Sequence, residues 1–409
     1  MNILLINHYA GSPRHGMEYR PYYLAREWVK EGHRVTIIAA SFSHLRTNNP
    51  VLERGVTEES IDGIRYIWLK TPIYHGNGIG RIFNMLHFVI RLRTCIKTIM
   101  AHERIDAVIA SSTYPLDIYP ARLIQKKQKA RLIFEVHDLW PLSPMELGNI
   151  PAWHPYIMLM QKAENYAYRY CDHVVSILPC AEAHMLKHGL KPNKFTAITN
   201  GIYSDEWQMY HGDLPDEHTN LFLQLKKNKR IIIGYAGAHG IANSLDTLLE
   251  AVTLFRGTDF YFVLVGQGQE KERLQEYAEK YNLENVTFLP PVIKPQIPAL
   301  LQFFDICYIG LQREPLFRFG ISPNKLMDYM MAAKPIIYAI EAGNDPVKEA
   351  GCGISVAPED PQAIADAIQS LAGMSEAERE AMGQRGKEYV MKHHDYKILA
   401  KQFLKVLEG

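Results

Sequence analysis

Short apolar runs alternating with helix-length segments recur along nearly the whole chain of 409 residues, and this alternation restricts the fold more than any single motif. In the first half the runs are ILLIN (3–7), VTIIAA (35–40), IRYIWL (64–69), AVIAS (107–111), LIFEVHD (132–138) and HVVSIL (173–178), with helical segments such as YRPYYLAREWVKEG between several of them. Strand, helix and strand at this spacing make βαβ units, whose strands form a parallel sheet covered on both faces. After a polar stretch, DLPDEHTNLFLQLKKNKR (213–230), the pattern starts again with IIIGYAG (231–237), YFVLVGQG (261–268), VTFLP (286–290), ICYIGL (306–311), PIIYAI (335–340) and GISVAP (353–358). The chain therefore reads as α/β, with two doubly wound, Rossmann-like domains at residues 1–205 and 229–385 and a linker at 206–228. A last helix runs from about 376 to 408, its 386–409 part placed near the domain junction and bent around His393 and His394. Ligands of such sheets bind at the carboxyl ends of the strands, so the cleft between the two domains is the expected site.

Composition narrows the partners. A formal net charge of +1 gives no general attraction to nucleic acid. The five cysteines are scattered and form no CxxC pair, which fits a reducing compartment and no structural zinc site. MNILLIN is one short strand without a basic leader or a cleavage site, so a cytoplasmic protein is expected. The most apolar long stretch, 79–100, is interrupted by Arg81, Arg91, Arg93 and Lys97 and reads as a basic amphipathic helix rather than a membrane span.

One stretch carries an electrostatic misfit. In GISPNKLMDYM (320–330), Ser322 reads as an N-cap and Pro323 as the first helical residue, which puts Lys325 in the first turn. A cation beside the positive end of a helix dipole costs a few tenths of a kcal/mol, roughly. An anion bound at the helix start would remove that cost, and Asp328, three residues on, could then accept from the hydroxyls of a ribose. The alternative is a surface Lys325–Asp328 pair. Two other turns, with Gly237, His239 and Gly240 and with Gly266 and Gly268, could offer backbone amides to phosphate oxygens, or could need glycine for purely steric reasons.

The succession NHYAGSPRHGMEYRP, FEVHDLWP, ITNGIY, YAGAHG, VGQGQE and SPNKLMDYMMAAKPII resembles the retaining GT-B glycosyltransferases of family GT4, in particular the WbuB-type enzymes of bacterial O-antigen and capsule synthesis. The resemblance spans nearly the whole chain. It implies an acceptor-binding first domain and a second domain that binds a nucleotide sugar, usually UDP-linked. The substrates it implies are a UDP-sugar donor, with an N-acetylated amino or deoxyamino sugar favoured, and a polyprenyl-diphosphate-linked sugar acceptor. No other cofactor is implied. No DxD of the kind that holds a metal in GT-A transferases occurs, so no metal is expected.

Residue by residue, the likeness assigns His137 to the transferred sugar, the alternative being a histidine satisfied by Asp138 or backbone. It assigns Asp328 to the donor ribose and Gly16, Met17 and Glu18 to the acceptor side, where Arg14, His15, Tyr19 and Arg20 could meet an acceptor pyrophosphate. Two departures stand out. Gly320 occupies the place of the first glutamate of the family's E-x7-E motif, with Glu314 a nearby substitute. The family's Arg and Lys after the first strand of the second domain are missing, which shifts the diphosphate onto backbone amides, His239, Ser322, Asn324 and Lys325. Lys325 and His137 are then the expected catalytic groups. The basic faces at 79–100 and 122–131 fit peripheral attachment to an anionic inner leaflet. A GT-B UDP-N-acetylglucosamine epimerase and a non-catalytic nucleotide-sugar-binding protein are the alternative functions.

Overall fold

The computed structural model describes residues 1–52, 55–76, 78–100, 104–209 and 212–409. They divide into two compact units, one made of Met1–Asn200, Phe319–Ile321 and Tyr396–Gly409, the other of Gly201–Arg318 and Ser322–Asp395.

The first unit is built on an eight-stranded sheet. Its strands are β1 (Asn2–Ile6), β2 (Arg34–Ala40), β3 (Val56–Ile61), β4 (Ile64–Leu69), β5 (Ala107–Ala110), β6 (Arg131–Val136), β7 (His173–Ser176) and β8 (Phe195–Ala197), in the order β3-β4-β2-β1-β5-β6-β7-β8. All pairings are parallel except β3 with β4. The second unit has a parallel six-stranded sheet of β9 (Ile231–Ala236), β10 (Phe260–Val265), β11 (Val286–Leu289), β12 (Ile306–Gly310), β13 (Ile336–Ala339) and β14 (Gly353–Val356), in the order β11-β10-β9-β12-β13-β14. That is the doubly wound order, which reverses direction between β9 and β12. The twelve apolar runs of the sequence all become strands, because helices on both faces bury nearly every residue of the central ones.

Besides the short edge strand β8, which no apolar run announces, the structure departs from the sequence reading in three elements. The polar β3, VTEESI, forms a hairpin with β4 across Asp62 and Gly63, both at positive φ (50° and 80°). The expected linker contains the helix Asp216–Lys227, which buries His218, Phe222 and Leu225, with Phe222 stacked on Phe303 at 4.8 Å. Tyr210 and His211 of that linker lie outside the described residues. The C-terminal helix is two helices, Glu376–His393 and Tyr396–Glu408, so the bend at His393 and His394 is a complete break. Tyr396–Glu408 packs on the helix Arg20–Lys30, where the Trp28 indole N–H donates to Ala400 O (3.1 Å) and its ring meets Phe403 edge-on at 5.3 Å. No helix among the described residues is long and apolar enough to cross a membrane.

Candidate functional site

In the second unit the loops after β9 and β10 are locked together. Gly237 N donates to Val265 O (3.0 Å), His239 N to Gln267 O (2.9 Å) and Glu270 N to His239 O (3.0 Å). A Cβ on Gly266 would lie 1.9 Å from Gly237 O, and one on Gly268 would lie 2.2 Å from His239 O. These glycines are therefore required by the close approach of two backbones, and the amides of Gly237 and His239, expected to hold phosphate, are already committed. The Lys271 ammonium closes the same region by donating to Gly266 O (3.0 Å) and Leu289 O (3.1 Å).

What this clamp encloses is the His239 side chain. It is fully buried, and neither ring nitrogen has a hydrogen-bond partner among the described residues. Burial, with Lys271 and Lys325 nearby, pushes its pKa down to about 4, so the ring is neutral near pH 7. Gly240 leads into the short turn Ile241–Asn243, and Asn243 is tied back by donating to Ala238 O (3.1 Å).

Lys325 reaches this turn from the helix Asn324–Met331, which follows β12. The helix begins one residue later than the sequence suggests. Pro323 is its N-cap, extended at φ −72° and ψ 127°, and Ser322 does not cap it. Asn324 is the exposed first residue and Lys325 the second. The Lys325 ammonium donates to Tyr235 Oη (2.8 Å) and Asn243 Oδ1 (2.5 Å) and lies 4.6 Å from the centroid of the Tyr235 ring. Both partners are uncharged, and among the described residues Lys325 makes no ion pair. The alternative of a Lys325–Asp328 surface pair is thus not formed. Burial lowers the lysine's pKa to about 7. Asp328, one turn on, is held up at about 6 by burial, against Lys294 and reinforced by Glu206. Gly320 is at φ 87°, in the left-handed region, so the backbone there favours the residue found and disfavours a glutamate.

The first unit is organised in the opposite way. At the carboxyl end of β6, Glu135 is buried and takes hydrogen bonds from Arg20 Nε (2.9 Å) and Ser111 Oγ (2.6 Å), while His137 Nε2 lies 3.0 Å from Ser111 Oγ and 3.4 Å from Glu135 Oε2. Burial works to raise the Glu135 pKa, but Arg20, then His137 and the Ser111 hydroxyl, outweigh it and hold the carboxyl at about 2. Arg20 also donates to Ile198 O and Thr199 O, so it is an internal strut and not a pyrophosphate ligand. His137 is positioned by Ser111 and Glu135; Asp138 instead accepts from Leu139 N and Ser143 Oγ.

The loop after β1 is closed by Gly11 N to Glu18 O (3.0 Å) and Gly16 N to Ser12 O (2.9 Å). Within it His15 is buried against Ser12 and Glu59, whereas Met17 is exposed. Gly16, Met17 and Glu18 thus form one ordered turn. Tyr235, Asn243 and Lys271 are the site residues the sequence reading missed. The only sequence signal for them was their place at the ends of β9 and β10.

Two doubly wound units with polar clusters at the carboxyl ends of their strands define a GT-B protein. Residues 15–201 match the family described as Glycosyl transferase 4-like domain, and residues 230–373 match Glycosyl transferases group 1. The chain belongs to these GT4-type glycosyltransferases. It is 27% identical over 405 residues to WcaI of Escherichia coli (strain K12), named as a colanic acid biosynthesis glycosyl transferase, covering 94% of each chain. Its fold is similar to that of sucrose-phosphate synthase from Thermosynechococcus elongatus (TM-score 0.73, 17% identity, 100% of this chain and 98% of that one). It is also similar to that of Anabaena HepE in complex with UDP (TM-score 0.69, 16% identity, 100% of both chains).

Proposed function

We propose that the protein transfers a sugar from a UDP-sugar, with retention at the anomeric carbon, to a lipid-linked saccharide in the synthesis of a bacterial surface polysaccharide. The transferred sugar is assigned as an N-acetylated amino or deoxyamino sugar. The observation that carries the reading is the unanswered charge beside His239: a half-buried ammonium at a helix start with only neutral partners, next to an imidazole with no partner at either nitrogen among the described residues. A diphosphate answers both, since its oxygens accept from Lys325 and from the N–H of His239. The UDP named for the HepE structure and the polysaccharide named for WcaI support the choice of nucleotide and process.

In the proposed reaction the bond from the anomeric carbon to the diphosphate oxygen breaks and its electron pair leaves with the phosphate. The acceptor hydroxyl attacks from the same face, and its proton passes to a departing phosphate oxygen. Lys325 contributes by stabilising the charge that develops on the leaving group, which raises the lysine's pKa and keeps it protonated. Asp328 and Asn324 are assigned to the donor's ribose and phosphate edges. With its Nε2 held by Ser111 and Glu135, His137 has Nδ1 for a sugar hydroxyl. Gly16, Met17 and Glu18 are assigned to the acceptor.

The helix Ile79–Ile99 leaves Ile79, Phe83 and Ile90 exposed alongside Arg93 and Lys97, a composition that supports peripheral binding to an anionic membrane surface in the cytoplasm. Binding to phosphatidylglycerol-containing vesicles at low salt tests this, and its absence would remove the membrane from the proposal. The donor is tested by thermal shift against UDP-, GDP- and dTDP-sugars. A UDP-sugar should stabilise the protein most; stabilisation by GDP-mannose with none from any UDP species would refute the nucleotide assignment.

A further inference from the structure

In the first unit, two helices bring three side chains able to ligate a metal close together. The helix Pro155–Tyr170 carries Gln161, Glu164 and Asn165 on one face. The helix Glu182–Lys187 carries His184 and is followed by His188, and this four-residue spacing places both imidazoles on the same side, 4.4 Å apart. Glu164 is 1% exposed, and among the described residues it is paired with no lysine or arginine. Its Oε1 lies 3.4 Å from His184 Nε2 and its Oε2 lies 3.9 Å from His188 Nδ1.

Gln161 Nε2 lies 2.7 Å from Glu164 Oε2, 2.8 Å from Asn165 Oδ1 and 2.9 Å from His188 Nδ1, which is itself 3.1 Å from Asn165 Oδ1. Tyr168 supplies one further hydrogen to Glu164 Oε1 (3.1 Å). At a buried carboxylate with no lysine or arginine beside it, a bound cation would supply the counter-charge.

We propose that Glu164, His184 and His188 bind a divalent transition-metal ion, Zn²⁺ by ligand chemistry, with water or Asn165 completing the shell. One ligand atom from each of the three residues lies within 4.8 Å of the others. Tetrahedral zinc with bonds of about 2.0–2.1 Å sets its ligands about 3.4 Å apart, so the Glu164–His184 pair is already at the required spacing and the rest closes by small side-chain rotations. Two imidazoles and a carboxylate are a borderline donor set that suits zinc rather than calcium or magnesium. The ion's role is to tether the two helices. His184 also contacts the Phe319 ring at 5.3 Å, so the tether would stiffen the wall on which Phe319 rests.

The test uses the untagged full-length chain, freed of metal with a chelator and titrated with Zn²⁺ against a chromophoric competitor, then with Co²⁺ to read the ligand-field spectrum. One equivalent should bind with submicromolar affinity, Co²⁺ should give the intense visible bands of a tetrahedral site, and Zn²⁺ should raise the Tm. His188→Ala, at a partly exposed position, should weaken binding by about 100-fold or more while the metal-free Tm stays close to the parent's. His154→Ala, at the exposed histidine that caps the helix Pro155–Tyr170, should leave the Zn²⁺ affinity unchanged even where loss of the cap lowers the metal-free Tm. Because Glu164→Gln risks misfolding, His184→Asn serves as the second variant. Absence of saturable binding, or one equivalent that survives both His184→Asn and His188→Ala, would overturn the proposal.

Discussion

The carboxyl ends of the strands carry buried charge in both units, and the two units treat it differently. Around Glu135 every charge has an answer: Arg20, Ser111 and His137 converge on the carboxylate, and Arg20 spends its remaining donors on Ile198 O and Thr199 O. Among the described residues, the charge of Lys325 is met only by a phenol and an amide oxygen, and the neighbouring His239 is met by nothing at its ring nitrogens. A closed network contributes to folding. An open one destabilises the empty protein and is relieved by a ligand of opposite charge.

The comparison is broken most severely at Arg20. Arg20→Met strands the Glu135 carboxylate in an apolar interior and should cost about 3–5 kcal/mol in a denaturant titration. A loss below 1 kcal/mol would mean that the network is not closed. Next comes Gly268→Ala, whose Cβ collides with His239 O. It should lower stability by about 1–3 kcal/mol and also displace His239 from the donor, which calorimetric titration with UDP would read as weaker binding.

Lys325→Met inverts the pattern seen at Arg20. Stability should be unchanged or improved, while UDP-sugar affinity or turnover falls tenfold or more, about 1.4 kcal/mol; a fall in stability without a kinetic defect would make Lys325 structural. Gly320→Ala should cost about 1–2 kcal/mol in stability, because its φ of 87° excludes other residues at little strain, with the donor site still able to bind UDP.

The smallest effect is on pH. With Lys325 at about 7 in the folded protein and at its ordinary 10.5 when unfolded, the unfolded chain holds more protons between these values. The Tm of the ligand-free protein should therefore gain an upward contribution from pH 7 to 9, and Lys325→Met should flatten that slope. Glu135 works at the other end, since its contribution is present above about 4.5 and is lost as pH falls towards 2.

The strands were legible because a strand buried on both faces must be a continuous apolar run. What escaped was local. VTEESI is polar because it is an edge strand, although the Asp62–Gly63 pair that turns it was a readable hairpin signal. The helix Asp216–Lys227 escaped because its apolar stripe is narrow, with His218, Phe222 and Leu225 at i, i+4 and i+7 among charges. Lys325 could be singled out because its misfit with the helix dipole is a property of adjacent residues. Tyr235 and Asn243 could not, being more than 80 positions away in the chain. Ser322 was misread as a cap because Pro323 tolerates both the first helical position and the extended cap conformation it adopts. The glycines of the clamp were visible as residues, but their reason is a contact between two loops.

The return of Tyr396–Gly409 to the first unit has a practical consequence for genetic dissection. A fragment cut after Asn200 would keep Trp28 and lose both Phe403 and the Ala400 carbonyl that receives its N–H, exposing one of the largest buried side chains. Chimeras that exchange the first unit between relatives should therefore carry the helix Tyr396–Glu408 along with residues 1–200, since the two stretches fold as one body.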